Sequence, residues 1–206
     1  MVTKSGGQTG RHYGPESFVG GVVALDFLNT AENWHAPDIN ELLPGFEDWL
    51  AWTRAAGLPA TAGVTVSRLV AAQFMRELRA FRTDLRALVR AGIGGIGVNS
   101  SSLQSLNRHW QRANDAREIR AAGAGVRYEW RPLVPAWERA FHAVVLSAVD
   151  LLTDPDRLAR VHECPGATCG WFFFDSTRNG SRHWCSMKTC GNVDKVRRFR
   201  AGQRDD

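Results

Sequence analysis

The sequence predicts an α+β protein: a mainly helical N-terminal domain with a short strand or hairpin element, followed by a small C-terminal module. Three observations lead to this prediction. Two long stretches repeat apolar residues every three to four positions, which is typical of amphipathic helices. A few short segments alternate apolar and polar residues or are rich in aromatic residues, as strands are. All four cysteines lie between residues 164 and 190, and the last 31 residues carry the whole net charge of +5.

Length and composition exclude several classes of protein. The 206 residues can bury a hydrophobic core without disulfide bonds. With 44% hydrophobic and 23% charged residues, the composition is that of a globular protein, not a disordered, collagenous or membrane one. No apolar run approaches the roughly 18 residues of a membrane span, and the opening MVTKSGGQTG lacks the apolar stretch of a secretory signal. We therefore expect a cytoplasmic protein whose residues 1–14 are flexible.

The first half of the N-terminal domain, residues 15–158, contains one ambiguous segment and one clear helix. Residues 18–30 begin like a strand, but residues 24–28 could equally start a short helix. Residues 46–55 place Phe46, Trp49 and Leu50 at helical spacing, and Gly57 is a typical end signal.

The most regular helical pattern runs over residues 67–90. The glycine-rich residues 91–97 are predicted to end this helix as a flexible connection. A second helix is predicted from residue 102 to about 116, a strand over 126–131 and a further helix over 137–152.

Polar residues at the end of the first apolar run are candidates for binding a small ligand. They are Asp26, Asn29 and Thr30, with Trp34 shortly after. The alternative is that Asn29 and Thr30 cap the next element. Six of the eight tryptophans precede the C-terminal module; they could line a ligand pocket or belong to the core.

The cysteine spacing predicts a metal site. The pattern is Cys164-x4-Cys169-x15-Cys185-x4-Cys190. Four thiolates can enclose one zinc ion tetrahedrally, at Zn–S distances of about 2.3 Å, in a closed structural site. An iron–sulfur cluster and a reactive thiol are the alternatives. We predict one structural zinc ion.

The segments around the cysteines predict a treble-clef-like finger. Residues 171–175 are strongly β-prone, residues 176–180 form a turn with an Asn-Gly pair, and residues 192–200 follow a helical pattern. A knuckle, a hairpin and a helix would then surround one ion. Because metal binding folds such modules, Cys185→Ser should unfold this one and leave the helical core largely intact.

These residues resemble the CGNR zinc finger. The matching segments are Cys164-x4-Cys169, residues 171–179, residues 181–187 and Cys190-Gly191-Asn192 with Lys195. That finger follows the ABATE domain in bacterial stress-induced transcription regulators, and residues 24–30 are similar to the opening signature of that domain. The resemblance covers essentially the whole chain and implies a finger at residues 160–204. Two positions depart from the motif, because Val193 replaces the name-giving arginine and His183 the second of two arginines.

The basic residues around the finger are candidates for contacting duplex DNA. They are Arg178, Arg182, His183, Lys188, Lys195, Arg197, Arg198 and Arg200, with Arg204 beyond them. A rigid module presenting such residues attracts phosphates, although the same charge could serve only as a solvated face.

The function predicted from the sequence is therefore a zinc-containing, DNA-binding transcription regulator. Its N-terminal domain would sense a ligand or a partner. The alternatives are a protein-interaction finger and a small-molecule-binding or enzymatic N-terminal domain. We expect no enzymatic activity, because neither paired carboxylates nor a nucleophile–base motif is recognisable, and residues 92–97 lack the lysine of a phosphate-binding loop.

Overall fold

The helices of the N-terminal domain pack around one short helix. The computed structural model describes residues 12–59 and 63–203. The helices are α1 (Val23–Leu28), α2 (Phe46–Ala55), α3 (Arg68–Gly94), α4 (Ser100–Asp115), α5 (Ala136–Leu152), α6 (Pro155–Leu158) and α7 (Asn192–Gly202). Within the described residues the strands form three antiparallel pairs: β1 (Ala31–Glu32) with β2 (Asn40–Glu41), β3 (Arg117–Ala122) with β4 (Gly125–Trp130), and β5 (Val161–Glu163) with β6 (Phe172–Phe174). None of the described helices has the length and apolar character needed to cross a bilayer.

The ambiguous segment at residues 18–30 forms the central helix α1, not a strand. Residues 24–28 are all buried. The Phe27 ring lies at its centre, with centroid distances of 6.1 Å to Trp52, 6.2 Å to Phe81 and 6.5 Å to Phe141. Other helices surround the segment, so its backbone groups are best paired within a helix.

The tryptophans of α2 belong to the core and do not line a pocket. Trp49 and Trp52 are 0% and 1% exposed, and their rings stack with centroids 5.5 Å apart. Tyr13, in the segment expected to be flexible, is also buried, and its hydroxyl donates to the Leu42 carbonyl at 2.7 Å. Residues 1–11 lie outside the described part of the chain.

Capping residues fix the long helices close to their predicted limits. The Ser67 hydroxyl accepts from the Val70 amide at the start of α3, and the Asn99 side chain caps α4. The helix α3 continues through Gly94 and ends at Gly95, whose φ of 62° is left-handed. The glycine-rich segment therefore forms the last turn of α3 before it becomes a connection.

Among the described residues, the C-terminal module contains the strand pair β5–β6, and the segment after the predicted turn at residues 176–180 does not form a strand that pairs with residues 171–175. Instead, the Asp175 carboxylate accepts hydrogen bonds from the Thr177 amide at 2.7 Å, the Thr177 hydroxyl at 2.6 Å and the Arg182 amide at 2.9 Å. Such side-chain bonds compete with a strand ladder. They hold residues 175–182 as a compact loop.

The C-terminal module shares the core of the N-terminal domain. Val161 and Phe172 are buried in the same apolar cluster as the helices α1, α3 and α5. The sequence predicts a separate module, because all four cysteines lie at residues 164–190 and the whole net charge lies in the last 31 residues. The structure shows continuous packing between the two parts instead.

Two buried titratable groups give the N-terminal domain opposite dependences on pH. Burial raises the pKa of Asp26 to about 6, partly offset by the hydrogen bond from the Gly20 amide. Burial lowers the pKa of His142 to about 4, assisted by the positive charge of Arg112. The stability from Asp26 is present below its unfolded pKa of 3.8 and is lost as the pH rises through about 6. The stability from His142 is present above its unfolded pKa of 6.5 and is lost as the pH falls through about 4.

We therefore expect Asp26→Asn and His142→Leu to alter the pH dependence of unfolding in opposite senses. One pKa unit corresponds to roughly 1.4 kcal/mol, so each group contributes about 3 kcal/mol over its titration range. Relative to the wild type, His142→Leu should gain stability and Asp26→Asn should lose it as the pH falls. Denaturant unfolding of the zinc-loaded chain across mildly acidic and neutral pH measures these differences. Profiles parallel to the wild type would contradict the assignment.

Candidate metal centre and nucleic-acid interface

The four cysteine sulfurs form a cluster of the size that one zinc ion requires. All lie within 4.8 Å of one another, and none is in a disulfide. The Sγ–Sγ distances are 3.7 Å from Cys169 to Cys185 and 3.6 Å from Cys185 to Cys190. A zinc tetrahedron with Zn–S bonds of about 2.3 Å has S–S edges of about 3.8 Å. A polynuclear iron–sulfur cluster fits less well, because its cysteines bind different irons and stand farther apart.

The closeness of the four sulfurs also calls for a compensating positive charge. Hydrogen bonds from the thiols of Cys169 and Cys185 lower the pKa of Cys164, and sharing them raises the pKa of both donors. Thiols this close cannot all ionise unless a cation compensates their charge. Zinc would supply two positive charges and fold the module around it.

A tight loop brings the first two ligands together. This loop, residues 164–171 between β5 and β6, is called the knuckle below. The Cys169 amide donates to the Gly166 carbonyl at 3.0 Å, and the Cys164 amide to the Trp171 carbonyl at 2.7 Å. A Cβ at Gly166 would lie 2.9 Å from the Cys169 Cβ and 3.2 Å from the Cys190 Sγ. Gly166 is therefore needed for the close approach of the sulfurs.

Of the second two ligands, Cys185 precedes a π-helical turn, Met187–Gly191, and Cys190 lies within this turn, which leads into α7. The Gly191 amide donates to the Ser186 carbonyl at 3.1 Å. Gly191 is buried, and a Cβ there would lie 2.8 Å from the Met187 sulfur. The metal site thus fixes the position at which α7 begins.

A buried arginine of the N-terminal domain reaches the knuckle. Arg86 donates from Nη1 to the Gly170 carbonyl at 2.9 Å and from Nη2 to Oε1 of Glu163 at 2.6 Å. Its guanidinium carbon lies 4.1 Å from the ring centroid of Trp34 and 4.7 Å from that of Phe172. Burial lowers the pKa of Arg86 to about 10, so the group stays charged at neutral pH.

Glu163, which directly precedes Cys164, also binds two further groups. Its carboxylate lies 3.0 Å from Nε of Arg90 and 3.1 Å from Nε2 of His35. The other ring nitrogen of His35 lies 3.1 Å from the Gly166 carbonyl. The knuckle is therefore tied to the N-terminal domain on both sides of the first ligand pair.

The predicted ligand-binding residues mostly serve internal contacts. The Asp26 carboxylate accepts from the Gly20 amide at 2.7 Å. The Thr30 hydroxyl donates to the Phe27 carbonyl at 2.6 Å and accepts from Arg82 at 2.8 Å. Trp34 packs on Arg86, as described above. These contacts account for the Asp26 and Thr30 side chains without a ligand, whereas Nε1 of Trp34 is buried and has no hydrogen-bond partner among the described residues.

Asn29 joins the two parts of the chain. Its Nδ2 donates to the Phe172 carbonyl at 2.8 Å, and its Oδ1 accepts from the Phe172 amide at 2.9 Å. Beside it, the Gly20 carbonyl accepts from the Phe174 amide at 2.8 Å. These bonds lie along the edge of β6 away from β5, where a neighbouring strand would otherwise pair.

Arg182 departs from its predicted role in contacting DNA. Its guanidinium donates to the carbonyls of Phe174, Val19 and Cys185 at 3.0, 2.7 and 2.6 Å, and lies 4.5 Å from the ring centroid of Phe173. These donors are used inside the protein. Arg182 therefore holds these segments together and does not belong to the exposed basic surface.

The other predicted DNA-contacting residues lie on the surface. The exposed residues are Arg178, His183, Lys188, Lys195, Arg197, Arg198 and Arg200. Arg197 and Arg198 both contact Asp194, at 2.9 and 2.8 Å. Lys188, Lys195 and Arg200 form no ion pair with any described residue. Arg204 lies outside the described residues.

A cleft of about 310 Å³ opens beside the sulfurs on the side of the N-terminal domain. Its lining residues include Glu16, Glu32, Trp171, Cys169 and Cys190, and no basic residue lines it among the described residues. This side of the metal site is therefore negatively charged, whereas the surface of α7 is positively charged.

Sequence reasoning did not predict the roles of Arg86, Glu163 and His35. A signal for Arg86 was present, because Arg82 and Arg86 fall on the apolar face of α3, four residues apart, where a buried charge needs a partner. The identity of that partner depends on the tertiary fold.

Two protein-family models match the chain. The CGNR zinc finger matches residues 160–203, and the ABATE family, described as a putative stress-induced transcription regulator, matches residues 21–155. No curated protein matches the chain significantly. The resemblance found in the sequence is thereby confirmed. Because the second match covers more than half of the chain, this protein belongs to the ABATE family and carries a CGNR zinc finger at its C-terminal end.

Proposed function

We propose that this protein is a DNA-binding transcription regulator of the cytoplasm, not an enzyme. Its zinc finger would contact duplex DNA, and its N-terminal domain would sense a small ligand or a partner. The observation that carries the proposal is the basic surface of α7 and the turn before it, which the metal site holds in a fixed place.

The charges of this surface support contact with phosphates. Six exposed cations, Arg178, Lys188, Lys195, Arg197, Arg198 and Arg200, surround or follow the metal site. The described part of α7 has one acidic residue, Asp194, which neutralises only part of this charge. The negatively charged cleft on the opposite side of the metal site would repel phosphates. DNA would therefore approach from the side of α7.

Affinity for mixed duplex DNA at several salt concentrations tests the proposal. If all six cations contact phosphates, log K should fall with log salt at a slope of about −5. The double variant Lys195→Ala/Arg200→Ala should bind more weakly and reduce the slope by about 2. Absence of salt-dependent binding by the wild type would refute the proposal.

A matched control removes two arginines of the N-terminal domain. Arg120 and Arg127 lie on the exposed pair β3–β4, and their side chains are 56% and 64% exposed. Arg120→Ala/Arg127→Ala changes the net charge of the protein by the same amount. It should leave the slope unchanged.

A second candidate function is a protein-interaction finger. Val193, Val196 and Phe199 on α7 are 68%, 48% and 67% exposed, which is unusual for apolar side chains placed so close together. This candidate function predicts weak DNA binding whose affinity does not depend on the salt concentration. It also predicts a Phe199→Ser variant that retains zinc but no longer retains a protein partner.

For ligand sensing, the N-terminal domain offers a cavity of about 190 Å³ between α3, α4 and α5. Its lining combines Phe74 and Trp137 with Glu77, Arg112 and Glu138. We propose this cavity as the place where a small ligand would bind, instead of the residues named from the sequence. A compound that raises the melting temperature should do so less in Glu77→Gln; an equal shift would contradict this placement.

A further inference from the structure

We propose that Arg86, a residue of the N-terminal domain, is a positioning residue for the zinc site, and that the zinc affinity of the finger therefore depends on that domain. This role of Arg86 is independent of DNA binding and lies in holding the ligands of the metal in place.

One guanidinium bridges the two residues that flank the first ligand pair. Glu163 directly precedes Cys164, and Gly170 directly follows Cys169. Arg86 donates to both, at 2.6 and 2.9 Å. The separation of the two ends of the knuckle is therefore set by the fixed spacing of two nitrogen donors in a planar group.

The surroundings of Arg86 keep this group in one orientation. The rings of Trp34 and Phe172 lie 4.1 and 4.7 Å from the guanidinium carbon. Gly170 has a φ of 65°, and a Cβ there would lie 2.7 Å from the Cβ of Trp34. The knuckle thus approaches the N-terminal domain as closely as its backbone allows.

Arg86 also neutralises a charge beside the metal. Four thiolates around one zinc ion would carry a net charge of two minus, and the Glu163 carboxylate immediately precedes the first of them, Cys164, in the chain. Without Arg86, that carboxylate would lie partly buried beside a negative centre, with only Arg90 and His35 to balance it. Both electrostatics and geometry would then disfavour the metal-bound arrangement.

The coupling between the two parts is reciprocal. If the folded N-terminal domain raises the affinity of the finger for zinc, bound zinc must stabilise that domain by the same free energy. Arg86 is expected to carry a large share of this coupling. Residues whose contacts stay within the N-terminal domain should carry little of it.

The test measures the zinc dissociation constant of the full chain by competition with a chelator. Removing a group that orients metal ligands typically costs about 10- to 100-fold in affinity, and we expect Arg86→Met to fall in this range. Arg86→Lys keeps the charge but cannot bridge both residues, so its affinity should lie between those of Arg86→Met and the wild type.

Arg82 provides a matched control. It lies one turn earlier on α3, is 4% exposed where Arg86 is 6% exposed, and binds Thr30 and Glu41 within the N-terminal domain. Arg82→Met should destabilise the fold to a similar extent while leaving zinc affinity close to the wild-type value.

A second measurement separates positioning from general stability. In Arg86→Met, the rise in melting temperature on adding zinc should be smaller than in the wild type; in Arg82→Met it should be the same as in the wild type. Equal zinc affinities for the two methionine variants, with equal rises on adding zinc, would overturn the proposal. The proposal would also be overturned if Arg86→Met did not fold and Arg86→Lys bound zinc with the same affinity as the wild type.

Discussion

Replacing Cys185 by serine is expected to abolish tight zinc binding and to lower the melting temperature of the whole chain. A structural zinc site contributes about 10–16 kcal/mol in small modules, comparable to or greater than the net stability of a typical domain, about 5–15 kcal/mol. Loss of the metal would release β6, and with it Phe172 from the shared core. The two parts should therefore lose stability together, contrary to the expectation from sequence that the helical core would remain largely intact.

Calorimetry and circular dichroism of Cys185→Ser, with zinc content measured on the same sample, check this result. Ser181→Ala is a suitable control, because it lies in the same module and has no role in the metal site. A variant without zinc whose helical transition is unchanged from that of the wild type would show that the module unfolds independently. The core contacts of Phe172 would then be energetically unimportant.

Replacing Asn29 by alanine is expected to have the second-largest effect, about 2–6 kcal/mol of lost stability. Asn29 is 2% exposed and satisfies both the amide and the carbonyl of Phe172. A buried backbone group left without a partner costs about 1–3 kcal/mol, and the variant would leave two of them. Denaturant unfolding of the zinc-loaded protein measures the loss.

Two further variants define the role of the Asn29 amide. Asn29→Asp keeps an acceptor for the Phe172 amide but cannot donate to its carbonyl while ionised, so it should recover only part of the stability. Asn40→Ala removes an exposed amide that donates to Glu32 at 2.8 Å, and should have little effect. An Asn29→Ala variant as stable as Asn40→Ala would contradict the structural role.

The metal site could be predicted from sequence because zinc ligation depends on local features. The paired spacings of Cys164-x4-Cys169 and Cys185-x4-Cys190 require only two tight turns, and glycines stand at both turns. The long helices were also predictable, since their apolar period and caps lie within the segments themselves. The limits of α3, α4 and α5 lie within a few residues of those predicted.

The other structural features could not be predicted, because they depend on contacts between residues that are distant in sequence. Asn29 and Phe172 are 143 residues apart, and the pattern around Asn29 suits a cap or a ligand as well as a backbone partner. Arg182 follows the motif of a basic surface residue, yet carbonyls of its own module bind it. The α1 segment is short and apolar, and only its burial among helices decides between helix and strand.

The contacts along β6 also protect the protein against self-association. Residues 171–174, Trp-Phe-Phe-Phe, form an apolar segment of high β-propensity, and an open strand edge of this kind is a template for aggregation. In the folded chain, β5 covers one edge of β6, while the Asn29 side chain and the Gly20 carbonyl cover the other. Removal of the metal would therefore unfold the finger and also expose an aggregation-prone strand. The solubility of this protein should consequently decrease as its zinc content decreases.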